Sequence, residues 1–171
     1  DVYDGTGQPP QSLDPVRITP NGLIINLNYD STVAALSNAA QVEAACEYAA
    51  RQYELLYTDP AVINITVSAK PGVSFLGQSV TQSIGPFTYA QVRDALRAHS
   101  ETANDQTMIA NDLPITDPTE GGSFWVPNAE AKAIGLLAAD NTAIDGTFTF
   151  ATSDASMTPV SYAYDPNNRA V

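Results

Sequence analysis

Cys46 is the only cysteine and His99 the only histidine in 171 residues. A lone cysteine closes no disulfide within the chain, and structural zinc sites built on cysteine need two or more. A lone histidine cannot supply an H-E-x-x-H zinc site, which sets two histidines one helical turn apart with a glutamate acting on bound water. Basic residues are also few: 7 Lys and Arg stand against 19 Asp and Glu, a net charge of −12. Phosphate binding needs clustered cations, so nucleic acid and anionic membrane surfaces are poor partners. No apolar run approaches the ~20 residues of a membrane-crossing helix, which argues against membrane insertion. Charged residues make up only 15%, so the polar surface must draw on Ser, Thr, Asn and Gln. Such a composition is common in exported proteins, and it points to a secreted, periplasmic or extracellular location. The chain begins at Asp1 without Met or signal peptide, as in a mature protein whose leader has been removed, or in a trimmed chain.

What is present suits one α/β domain. Hydrophobic residues reach 44%, enough for a sizeable core at this length. Gly5, Gly7, Pro9, Pro10 and Pro15 mark residues 1–17 as an extended arm that drapes over the domain or docks on a partner; residues 18–171 form the single domain. Gly22 to Asn28 alternates as a strand. Leu36, Ala39, Val42, Cys46, Ala49, Tyr53 and Leu56 then recur at steps of three and four, which predicts one long helix from about Val33 to Tyr57 with Cys46 as a small buried thiol. Pro60 stops it. Ala61 to Ser68 is rich in β-branched residues and reads as a strand. Strand, helix and strand in this order predict a crossover with the two strands parallel.

Gln78 to Ile84, set among Gly and Pro, reads as a hairpin or an edge strand. Thr88 and Gln91 form a capping box for a second helix with Tyr89, Val92 and Leu96 on its apolar face. A short helix over Glu101 to Leu113 follows, anchored by Met108 and Ile109. Ser123 to Val126 reads as a strand, Asn128 as the cap of a helix that Gly135 ends, and Thr147 to Ala151 as a last strand with Phe148 and Phe150 on one face. The end, from Met157, reads as a loop or an unfinished connection. The fold class is therefore α/β (α+β), a mixed twisted sheet with a long helix packed after the first strand.

Few constellations in this sequence carry chemistry. His99 would have to serve any Ser-His-Asp triad or Cys-His pair, yet it falls near a helix C-terminus, where the dipole favours a surface histidine. The carboxylate pairs Asp140 with Asp145, Asp112 with Asp117, and Asp59 with Glu54 lie in or beside predicted turns, where Asp is common for backbone reasons. Oxygens around Asp140, Asn141 and Asp145 make calcium possible, though not with EF-hand spacing. Trp125, Tyr162 and Tyr164 form either a binding surface or core packing. Asn64-Ile65-Thr66 matches a glycosylation sequon, but a central strand is a poor acceptor.

Gly22 to Asp30, the alanine-rich helix ending Tyr53-Glu54-Leu55-Leu56-Tyr57, and Thr58 to Val67 come in a recognisable order. They are followed by Thr88-Tyr89, Leu96, Asn128 to Leu136, and Asp145-Gly146-Thr147-Phe148. This order resembles the N-terminal region of a family of secreted bacterial zinc metalloproteases with a metzincin-like layout. The similarity spans about Ile18 to Asp165. It implies an N-terminal lobe of mixed sheet and helices. A helix bearing H-E-x-x-H would follow a segment like Tyr164-Asp165-Pro166, and no such helix occurs up to Val171. No catalytic, cofactor-binding or zinc residue of the family is carried onto this chain. Zinc and a peptide substrate are implied only with a further C-terminal segment. The alternative is a non-catalytic exported structural or interaction subunit that pairs with another subunit.

Overall fold

The computed structural model describes residues 22–164. The expected arm over 1–17, like Asp165 and Pro166 of the resemblance, lies outside the described residues.

β-Branched and aliphatic residues at alternate positions build the sheet. Strand β1 (Ile24–Tyr29) pairs in parallel with β2 (Val62–Lys70) in the register Ile24 to Val62 through Tyr29 to Val67. Between them run a short helix α1 (Ser31–Ala34) and the long helix α2 (Ala39–Leu56). The single helix expected from Val33 to Tyr57 is thus two. Asp30 caps α1 by accepting from the Thr32 and Val33 amides. Residues 35–38 end in Ser37 and Asn38, whose side chains compete with helical backbone bonds. The break lets Val33 of α1 and Val42 of α2 both reach the sheet, where they are 0% and 3% exposed.

The next segment is no hairpin of its own. Strand β3 (Gly77–Thr81) and β4 (Ser83–Thr88) are adjacent in sequence but join different sheets. Helix α3 (Tyr89–Ala98) starts at the predicted capping box, with Thr88 and Gln91 exchanging bonds. Helix α4 (Ala103–Asn111) opens on a second box, made by Thr102 and Asp105. Strand β5 (Ser123–Pro127) pairs antiparallel with β4. Helix α5 (Asn128–Ala133) follows at once. Asn128 is its first residue and not its cap, because Pro127 holds the capping position with no side-chain bond. Gly135 ends it at φ +74, in the left-handed region that glycine tolerates. Strand β6 (Gly146–Ala151) then enters the main sheet beside β2, in parallel.

The main sheet has the order β1-β2-β6-β3, with only β3 antiparallel. The chain is a mixed α/β fold of the α+β kind. Strand alternation gives the sheet two unlike faces. Leu27, Tyr29, Ile65, Val67, Ala69 and Phe150 share the face under α1 and α2 and form the core with Val33 and Val42. The other face carries Asn26, Asn28, Thr66, Ser68, Thr147 and Thr149, which the register sets side by side. Ser68 and Thr149 hydroxyls bond there at 2.8 Å.

The apolar stripe read along α2 divides in the structure. Leu36, Val42 and Cys46 pack on the core, whereas Ala49, Tyr53 and Leu56 face out. The inward row instead steps by four from Val42 through Cys46 and Ala50 to Glu54. A heptad-like stripe drifts around the helix relative to that row. Glu54 closes the row by accepting from the Ile25 amide at 2.8 Å.

Below the polar face, α5 is locked to β2 by charge. Lys132 and Asp145 side chains are 0% and 1% exposed and meet at 2.6 Å. The Lys132 ammonium also donates to the Val62 and Asn141 carbonyls, at 2.7 and 2.9 Å, so all three of its protons are placed. Asp145 takes the Asn64 amide at 2.7 Å through the same oxygen, Oδ2. Its other oxygen has no partner.

Candidate functional site

The outer edge of β3 is the feature of the sheet best built for recognition. Leu76 accepts from the Ala151 amide and Gln82 donates to the Asp145 carbonyl, each across the β3–β6 register. In an antiparallel pair such bonding residues recur every second position. Gln78 and Val80 therefore bond inward to β6, and Gly77, Ser79 and Thr81 turn their N–H and C=O groups outward. All five residues of β3 are exposed, and among the described strands β3 pairs with β6 alone. The result is a row of unpaired backbone groups, a template for one more strand.

Side chains shape this edge. The Phe148 ring rests against β3 at Gly77, where a Cβ would come within 3.3 Å of it. Any larger residue there would push the ring away, so the glycine lets Phe148 floor the edge. At the head of β3, Val73, Phe75, Leu76, Asp154 and Val160 line an open cavity of about 210 Å³. The Tyr162 hydroxyl donates to the Leu76 carbonyl at 2.8 Å and fixes that corner. Burial pushes the Tyr162 hydroxyl pKa up from its ordinary value.

The residues singled out from the sequence do not gather at one place. His99 is the exposed C-cap of α3 and lies over Gly135. Asp145 is committed to Lys132 and Asn64, and the Asn141 carbonyl to Asn64 and Lys132. Asp117 accepts from Thr119 and Gly121, and the Thr119 bonds hold its carboxyl below the usual range. Asp112 caps the end of α4. Glu54 serves the Ile25 amide and Arg51. Among the described residues no group of three or more His, Cys, Asp or Glu is placed to hold a metal ion.

Tyr162 and Tyr164 pack on the core beside Phe150, while Trp125 stands 64% exposed on β5. Cys46 is half-buried, and burial followed by the Glu47 charge raises its thiol pKa. Asn64 is buried and donates to the Asn141 and Ala143 carbonyls. This geometry leaves its amide no room for a glycan.

Sequence reasoning placed an edge strand near Gln78 but not its partner. The alternation there is too short and polar to say which strand it joins. The geometry defines a class: an α/β domain whose mixed sheet ends in an antiparallel strand open to pairing. Scans against protein-family models, curated proteins and solved structures return no match for the chain.

Proposed function

We propose that the chain is the N-terminal lobe of an exported, metzincin-like zinc endopeptidase, without catalytic power by itself, and that β3 is the shelf on which an extended peptide is held. The observation that carries this reading is the open antiparallel edge of β3 beside three parallel strands. The sequence resemblance running from Ile18 to Asp165 supports it. An added peptide strand gains main-chain bonds from Gly77, Ser79 and Thr81, and alternate side chains meet Phe148 or the cavity beside Leu76. Zinc, its ligands and the general base belong to a further segment in this reading, so no chemical step is assigned to residues of this chain.

The deciding experiment is the intact mass of the native polypeptide, with its C-terminal sequence read by tandem mass spectrometry. Continuation into an H-E-x-x-H helix, with peptidase activity lost to chelators, is the expected result. A native product ending at Val171 removes the reading.

A second reading, a non-catalytic exported interaction subunit, draws on a different observation. Tyr53, Leu55, Leu56 and Tyr57 at the end of α2 are each more than half exposed. Apolar surface gathered in this way marks contact sites.

A further inference from the structure

We infer that α2 is a self-association surface, on which a second copy of this chain packs its own α2 antiparallel about a two-fold axis. Of the twelve large hydrophobic side chains exposed among the described residues, five lie between Tyr48 and Tyr57. They are thus concentrated on two turns of one helix. Tyr48, Ala49, Gln52, Tyr53 and Leu56 line a shallow groove there. With half-buried Ala45 they occupy positions i, i+3, i+4, i+7, i+8 and i+11, the spacing of a helix-packing face.

Two properties select a second copy as the occupant. First, the six positions are symmetric about the point between Ala50 and Arg51. Antiparallel two-fold packing sets Ala45 opposite Leu56 of the other copy, Tyr48 opposite Tyr53, and Ala49 opposite Gln52. Small faces large and ring faces ring, as an isologous interface requires. Second, the strip carries no charge, so two chains of net −12 meet there without burying any carboxylate. Glu43, Glu47, Arg51 and Glu54 fall on the other side of the helix. Repulsion from the rest of each chain is screened beyond about 8 Å at physiological salt. One helix pair falls short of the ~800 Å² per partner of a standard interface. The dimer is accordingly weak, with Kd in the range of about 1–100 µM.

Sedimentation velocity and light scattering on the full chain across that range test the inference. The expected result is a monomer that becomes a dimer as concentration rises. Ala49→Glu, on an exposed helix position, should raise the dimer Kd at least tenfold with an unchanged circular dichroism spectrum. Register is tested in a Cys46→Ala background by mixing Tyr48→Cys and Tyr53→Cys chains under oxidation. The mixed disulfide should form in clear excess over either like pair. A monomer at every concentration, a dimer indifferent to A49E, or like pairs forming as readily as the mixed one would each overturn the proposal. In the monomer case, slow amide exchange along Tyr48–Leu56 would show that another segment of the chain covers the strip.

Discussion

Replacing Lys132 by methionine should be the most damaging single change within reach of the sheet. The methionine fills a similar volume, so the loss is electrostatic and not a cavity. It leaves the Asp145 carboxylate, in a site where the two side chains are 0% and 1% exposed, with the Asn64 amide as its remaining partner. Oδ1 of Asp145 already has none, so the charge has no second donor to fall back on. Removing one member of a buried pair costs about 3–5 kcal/mol. A domain of this size has about 5–15 kcal/mol of stability in all, so the variant loses a third or more of it. Asp145→Asn should cost less, because the stranded ammonium keeps the Val62 and Asn141 carbonyls. The double variant K132M/D145N should recover at least half of the K132M loss, since no charge stays buried and the new amide oxygen still accepts from Asn64. Urea unfolding at pH 7, followed by far-UV circular dichroism, reads all three. A K132M loss below about 1 kcal/mol, within the range of ordinary exposed pairs, would refute the reasoning and mean that water reaches the carboxylate.

Ser79→Pro should leave stability within about 0.5 kcal/mol of the parent, since the Ser79 amide points away from β6 and edge prolines are tolerated. The same change should abolish capture of extended peptides at β3, read by fluorescence anisotropy of a labelled peptide library. The acid limb of the stability curve should be shallower in Asp30→Asn. The Thr32 bond to its carboxylate holds the Asp30 pKa down, so its contribution is present above the unfolded value near ~3.9 and fades as pH falls through the lowered folded value. Urea midpoints between about pH 2 and 5 measure that slope. Iodoacetamide should label Cys46 many-fold more slowly in the folded chain than in urea at pH 8, because burial and Glu47 disfavour its thiolate; mass spectrometry over time gives both rates.

Much of the fold was legible because local chemistry and tertiary packing agree. The Thr88–Gln91 box, the β-branched run of β2 and the glycine after α5 each act over a few residues, and each sits where the sequence placed it. Where long-range geometry decides, the sequence was silent or misleading. The stripe from Leu36 to Leu56 has helical spacing throughout, but only the sheet settles which part of it is covered. Breaking the helix at 35–38 depends on bringing Val33 and Val42 to one core. Gln78 to Thr81 looks the same in sequence whether it pairs with β4 or β6. Lys132 and Asp145 form the strongest polar contact of the fold. They gave no signal beyond ordinary helix and turn positions, because an ion pair is recognisable only once both groups are known to be buried.

The two margins of the main sheet are not equivalent. On β1 the outward Ile25 amide is occupied by Glu54, which also sets a carboxylate beside any carbonyl that approached. On β3 the outward groups of Gly77, Ser79 and Thr81 are bare. A strand can therefore be accepted at one margin, while the other is obstructed at its first outward-facing residue. Sheet-to-sheet stacking of whole molecules needs a donor margin as well as an acceptor. This arrangement limits growth to a single added strand, so a recognition edge can stay open without seeding a fibre.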